Sequence, residues 1–221
     1  MTHFNLLVGG PLATLPAAWA QIPGEWIGAD RGALHLVDAH LAPTFVVGDF
    51  DSLTSDELMR VQAAVSDIHY SIPEKDDTDT ELALQLAFNQ YHATSVTIYG
   101  ATGGRLDHLL SNLFIPLQPR FRPFTAQIRF VDQQNRMDFY LPGQHVLPVQ
   151  TGYRYLGIVP MTAVSQLNIS GAKYPLTDWD GEAPFSFASN EFVDKPVTIS
   201  FKTGIVAVIY SRDRRGQQID N

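Results

Sequence analysis

Residues 44–57 read TFVVGDFDSLTSDE. The apolar run stops at Gly48, and two aspartates follow at once, Asp49 and Asp51, with Phe50 between them. Thr54 and Glu57 then stand at the spacing of a helix capping box. The stretch predicts a buried strand, an acidic turn and a helix over 55–65. In an extended segment, residues two apart project to the same side. Both carboxylates would then face one point while Phe50 turns into the core. Two like charges so placed repel, and a cation between them removes the repulsion. Magnesium suits such a pair, because it takes few protein oxygens and fills its other positions with water and phosphate. The alternative is that Asp51 or Ser52 closes a turn or caps the helix.

Outward from this stretch the pattern repeats. The apolar runs FNLLV, EWIGA, TFVVG, DIHYSI, SVTIYG and QIRFV alternate with helical patterns near 31–40, 55–65, 79–91 and 105–117. Such alternation predicts an α/β fold whose mostly parallel sheet is flanked by helices. Thr78 and Glu81 repeat the capping box, and Leu82, Ala83, Leu86 and Ala87 recur every four residues behind it. After about residue 136 the texture changes. MDFYL, HVLPV, YRYLGIV, VSQLNI, FSFAS, PVTISF and IVAVIY are short, β-rich and punctuated by Gly, Pro or Asn. These predict an antiparallel β-sandwich or barrel. The proline-rich PLQPRFRPF (116–124) is placed before the last strand of the first domain. Domains of 1–137 and 138–221 follow.

The chain of 221 residues is 45% hydrophobic and 17% charged, enough to bury a real core. It has no cysteine, which excludes disulfides, thiolate zinc sites and a cysteine nucleophile, and fits a cytoplasmic location. No apolar run reaches the length of a membrane helix. LLVGGPLATLPAAWA resembles a signal peptide, but no Lys or Arg precedes it and Gly and Pro interrupt it, so it is read as strand and loop. The net charge is −8, and residues 49–81 hold all of it: ten acids against two bases, while the rest balances at thirteen each. This excess disfavours nucleic acid and fits a hard cation that recruits phosphates.

In parallel α/β sheets, ligands sit beyond the carboxyl ends of the strands. Four polar segments occupy that place: GADRGA (28–33), GDFDS (48–52), EKDDTDTE (74–81) and GATGGRLDH (100–108). They are expected to meet on one rim. Asp76, Asp77 and Asp79 precede or open a helix, where the dipole favours acids. Thr78 already suits the cap, which leaves Asp79 as the candidate third metal contact. Gly100, Gly103 and Gly104 before a helix would cradle phosphate through free amides, with Arg105 adding a cation. Asp107 and His108 fall in that helix's first turn, where a dipole-favoured role is the alternative. No P-loop ending, serine elbow, dinucleotide fingerprint, paired histidine spacing or basic stripe is present.

In this order the segments resemble thiamine pyrophosphokinases. The resemblance runs through 28–33, 48–52, 75–81 and 103–108, and late in the chain through GAKYPL (171–176) and SNEF (189–192). Arg31 stands where a glycine is often found. The resemblance implies a Rossmann-like nucleotide domain followed by a β-sandwich. It implies transfer of the diphosphoryl group of ATP to the hydroxyl of thiamine, giving thiamine diphosphate and AMP, and a homodimer. It further implies magnesium on Asp49, Asp51 and Asp79, and ATP contacts from Asp30, Arg31, Gly32, Lys75, Thr102, Gly103, Gly104 and Arg105. Asp51, Asp79 and Asp107 would act at the reacting groups, and Asp107, Ser189 and Asn190 would hold thiamine. Two other readings are a diphosphokinase acting on a hydroxymethylpterin and a non-catalytic thiamine or nucleotide sensor.

Overall fold

A computed structural model describes residues 2–72, 77–193 and 195–213. The chain forms two compact units, Met1–Ile115 with Gln127–Gln133, and Pro116–Ala126 with Gln134–Asn221. The division after Gln133 comes earlier than the expected one after 137. The proline-rich segment, expected in the first domain, groups with the second unit.

The first unit is a six-stranded parallel sheet. Its strands are β1 (His3–Leu7), β2 (Glu25–Ala29), β3 (Pro43–Gly48), β4 (Ile68–Tyr70), β5 (Ser95–Tyr99) and β6 (Ile128–Val131). Their order is β6-β5-β1-β2-β3-β4, every pair parallel. β1, β2, β3 and β5 are each buried over their last four residues, as strands covered on both faces must be. The order runs outward in both directions from β1, so a switch point lies between β1 and β5.

Four helices cross between the strands: α1 (Arg31–Asp38), α2 (Ser55–Ala64), α3 (Asp79–Gln85) and α4 (Leu106–Phe114). Both expected capping boxes form, Thr54 with Glu57 and Thr78 with Glu81. The helix expected over 79–91 changes character at Leu86, where a π turn runs to Gln90. The wider turn ends at Tyr91, which stacks on Phe45 with centroids 4.3 Å apart. The helix expected to reach 117 ends at Phe114 and tightens into 3-10 turns over Ile115–Leu117 and Pro119–Gln127, as repeated prolines favour.

The second unit packs two antiparallel sheets. One holds β7 (Asn135–Tyr140), β14 (Val206–Ser211), β9 (Tyr155–Pro160) and β12 (Phe187–Glu191), in that order. The other holds β8 (Gly143–Leu147), β13 (Val197–Phe201), β10 (Val164–Ser170) and β11 (Leu176–Gly181). A single apolar core draws on both, with Leu156, Ile158 and Val208 from the first and Leu167, Ile199 and Phe201 from the second. That is the expected sandwich. The sequence reading missed β11, whose residues LTDWDG include none that is buried and carry no apolar alternation.

Candidate active site

The first unit opens a cleft of ≈ 780 Å³ at the carboxyl ends of its strands. The loops after β1 and β5 flank the switch point and form much of its wall. Gly10 makes this possible, because a β-carbon there would lie 1.9 Å from the Gly100 carbonyl oxygen. The other walls include the start of α1, with Asp30, Arg31 and His35, and the start of α3, with Asp77, Thr78 and Asp79. His35 and Asn112 line the cleft as well, and neither belongs to a motif that sequence reasoning singles out. The loop after β1 belongs to the stretch that reads from the sequence as strand and loop, with no dinucleotide fingerprint to mark it as a ligand site. Recognising β1 as the central strand would have drawn attention to it.

Three carboxylates gather beside this cleft. One oxygen each from Asp30, Asp49 and Asp51 lies within 4.8 Å of the others. At that distance each pair repels by about 1 kcal/mol in water and about 3 kcal/mol at an effective dielectric near 20. The geometry differs from the expected extended strand. Phe50 adopts φ 57° and is 2% exposed, so a left-handed kink buries the ring and folds the two aspartates back together. The Asp51 amide donates to Asp49 Oδ1 at 3.1 Å. Asp30 also has positive φ, 48°, and accepts the Ser52 hydroxyl on both oxygens at 2.8 and 3.0 Å. Burial raises the pKa of Asp30, the Ser52 bond opposes the rise, and the charges of Asp79 and Asp49 add to it. Asp79, chosen from the sequence as the third ligand, is not one of the three. It accepts the Ser71 hydroxyl at 3.0 Å and lines the cleft.

The GATGGRLDH turn also takes shape. Gly103 has φ 79°, and a β-carbon on it would meet Thr14 at 2.3 Å. Thr102 donates to Asp132 at 3.0 Å, while Gly104 and Arg105 face the cleft. Arg105 donates through Nε and Nη2 to the two oxygens of Asp107 at 3.1 and 2.5 Å. Both side chains are exposed, and the guanidinium holds the Asp107 carboxyl down at about 2. Asp107 is therefore a weak proton acceptor at neutral pH. Gly32 turns inward, with the Leu7 carbonyl oxygen 2.0 Å from where its β-carbon would be, so it lets α1 approach β1. Lys75 lies outside the described residues.

In the second unit the two late motifs are knit together. Asn190 is 2% exposed, and its amide faces the backbone. Its Oδ1 accepts the amides of Tyr174 and Glu191 at 2.9 and 3.0 Å, and its Nδ2 donates to the Tyr174 carbonyl at 2.8 Å. Lys173 adds a 2.7 Å ion pair to Glu191. Ser189 is exposed with φ 58°, where the pairing of β12 with β9 shifts register. Such a bulge re-aims a side chain.

The sequence matches two family models, "Thiamin pyrophosphokinase, catalytic domain" over residues 18–128 and "Thiamin pyrophosphokinase, vitamin B1 binding domain" over 144–206. It is 34% identical over 217 residues to the thiamine pyrophosphokinase of Bacillus subtilis (strain 168), covering 96% of this chain and all of that one. A thiamin pyrophosphokinase family protein from Enterococcus faecalis superposes with a TM-score of 0.91 at 41% identity, over 96% of this chain and 100% of the other. A protein from Lactobacillus plantarum gives 0.90 at 45% identity, over 97% and 100%. The chain belongs to the thiamin pyrophosphokinase family.

Proposed function

We propose that this chain is a magnesium-dependent thiamine diphosphokinase, moving the diphosphoryl group of ATP to the thiamine hydroxyl and releasing AMP. The observation that carries the magnesium reading is the meeting of Asp30, Asp49 and Asp51 at the rim of a cleft next to a glycine turn. The donor set fits the ion: hard carboxylate oxygens, with room for phosphate oxygens and water. Bound there, magnesium would neutralise charge on the phosphates. Asp30 and the Asp49–Asp51 turn would hold it, and Asp79 would act from the neighbouring wall. Thr102, Gly104 and Arg105 would orient the polyphosphate, and catalysis would come mainly from alignment and charge compensation. With its carboxyl held at about 2, Asp107 suits orienting Arg105 better than accepting the thiamine proton.

We read Ser189 as the thiamine contact of the second unit and Asn190 as the residue that holds it in place. A homodimer is part of the same proposal. Along α4, Leu106, Leu110 and Phe114 are 74%, 50% and 50% exposed at a spacing of four, apolar surface that a second copy would cover. Among the described residues no helix is long and apolar enough to cross a membrane. A cytoplasmic place of action is part of the same proposal.

The test is AMP release with ATP, magnesium and thiamine, with a hydroxymethylpterin as the competing alcohol. Thiamine-dependent AMP is expected, and Asp51→Asn should lower turnover at least 100-fold, on the order of the loss of a transition-state charge contact. AMP formation with the pterin alone would replace the substrate. An Asp51→Asn enzyme of near wild-type rate would remove the cation role.

A further inference from the structure

We propose that Arg31 is a positioning residue that holds the Asp49–Asp51 turn in its cation-binding shape. The inference rests on the reading of that turn as a magnesium site. Arg31 opens α1, where the helix dipole disfavours a cation. Something else must therefore hold the guanidinium there, and two contacts do. Nη2 donates to the Ser52 carbonyl, and Nη1 lies 3.5 Å from Glu57 Oε1. Glu57 is not a free anion: its Oε2 accepts the Thr54 amide at 2.8 Å in the capping box of α2. The guanidinium thus bridges the start of α1, the end of the acidic turn and the start of α2.

Ser52 is tied twice, through its carbonyl to Arg31 and through its hydroxyl to Asp30. Between those ties and Gly48 lie Asp49, the left-handed Phe50 and Asp51. With no cation between them, three carboxylates within 4.8 Å drive the turn open. The Arg31 fork opposes that opening from outside the ligand set. A lysine supplies one point contact and cannot span the Ser52 carbonyl and Glu57 with the same planar geometry.

The experiment measures manganese, a spin-active stand-in for magnesium, by its resonance signal on nucleotide-free full-length protein. Arg31→Met should weaken manganese binding by about tenfold, the usual cost of losing a group that orients metal ligands, and Arg31→Lys should recover part of it. Glu57→Gln keeps the cap and removes the ion pair, so it should weaken binding in the same direction by a smaller factor. It also serves if Arg31→Met does not fold. Manganese affinity in Arg31→Met and Glu57→Gln within twofold of wild type would overturn the proposal. So would a raised KM for ATP with unchanged manganese binding, which would make Arg31 a nucleotide contact. Failure of the underlying reading looks different: Asp49→Asn and Asp51→Asn would then bind manganese as well as wild type does.

Discussion

Asp30 and Phe50 carry positive φ angles of 48° and 57°, conformations that side chains with a β-carbon rarely adopt. Strain of this kind persists when the surroundings enforce it, and it concentrates at functional sites. Here burial of the Phe50 ring enforces one kink, and the Ser52 hydroxyl and the Val47 carbonyl hold the other. A raised carboxyl pKa at Asp30 has a definite thermodynamic sign. Between its unfolded and folded values the folded chain holds a proton that the unfolded chain has lost. Stability therefore falls as pH rises through that window, and a constant penalty remains above it. Asp30→Asn removes the penalty. At neutral pH without metal its melting temperature should exceed that of wild type, while the rise that magnesium gives to wild type should disappear. Thermal melts with and without magnesium decide this, and an undiminished magnesium effect in Asp30→Asn would remove Asp30 from the cation site.

Among the elements, the contrast is between helix starts and motif pairs. Two Thr-x-x-Glu boxes were readable because a cap is a contact across three residues, and both formed. The link between GAKYPL and SNEF was not readable, because the motifs meet through hydrogen bonds across 16 residues of sequence. Asn190 serves as their rivet. Asn190→Ala leaves two amides and a carbonyl without their partner. It should cost about 1–3 kcal/mol in urea unfolding, since a buried unpaired group costs that much and water replaces part of it here. If Ser189 meets thiamine, the same change should raise the KM for thiamine more than that for ATP. Equal rises in both would separate the motif from the thiamine site.

For the whole molecule, the parallel order β6-β5-β1-β2-β3-β4 places the cleft. The exposed apolar residues of α4 bear on assembly. Light scattering should give a species of twice 24.5 kDa at working concentration. Leu110→Glu, which puts a charge among Leu106 and Phe114, should shift it toward the monomer. A wild-type monomer would remove the dimer from the proposal.

Legible in the chain alone are the two textures, the strand-helix alternation, the acidic window and the two-residue spacing of Asp49 and Asp51. All of these rest on periods and spacings of a few residues, where local sterics and caps act. Tertiary structure alone decided that Asp30, not Asp79, completes the carboxylate group, because the end of β3 packs against the start of α1: a β-carbon on Gly48 would lie 3.1 Å from Asp30 Cα. It alone placed the loop after β1 in the cleft, because which strand lies at the centre depends on pairings between distant segments. It also turned Asn190 inward, where the backbone of Tyr174 takes up its amide. Long-range pairing leaves no period in the chain, so the residues it brings together become visible only when the sheet has formed.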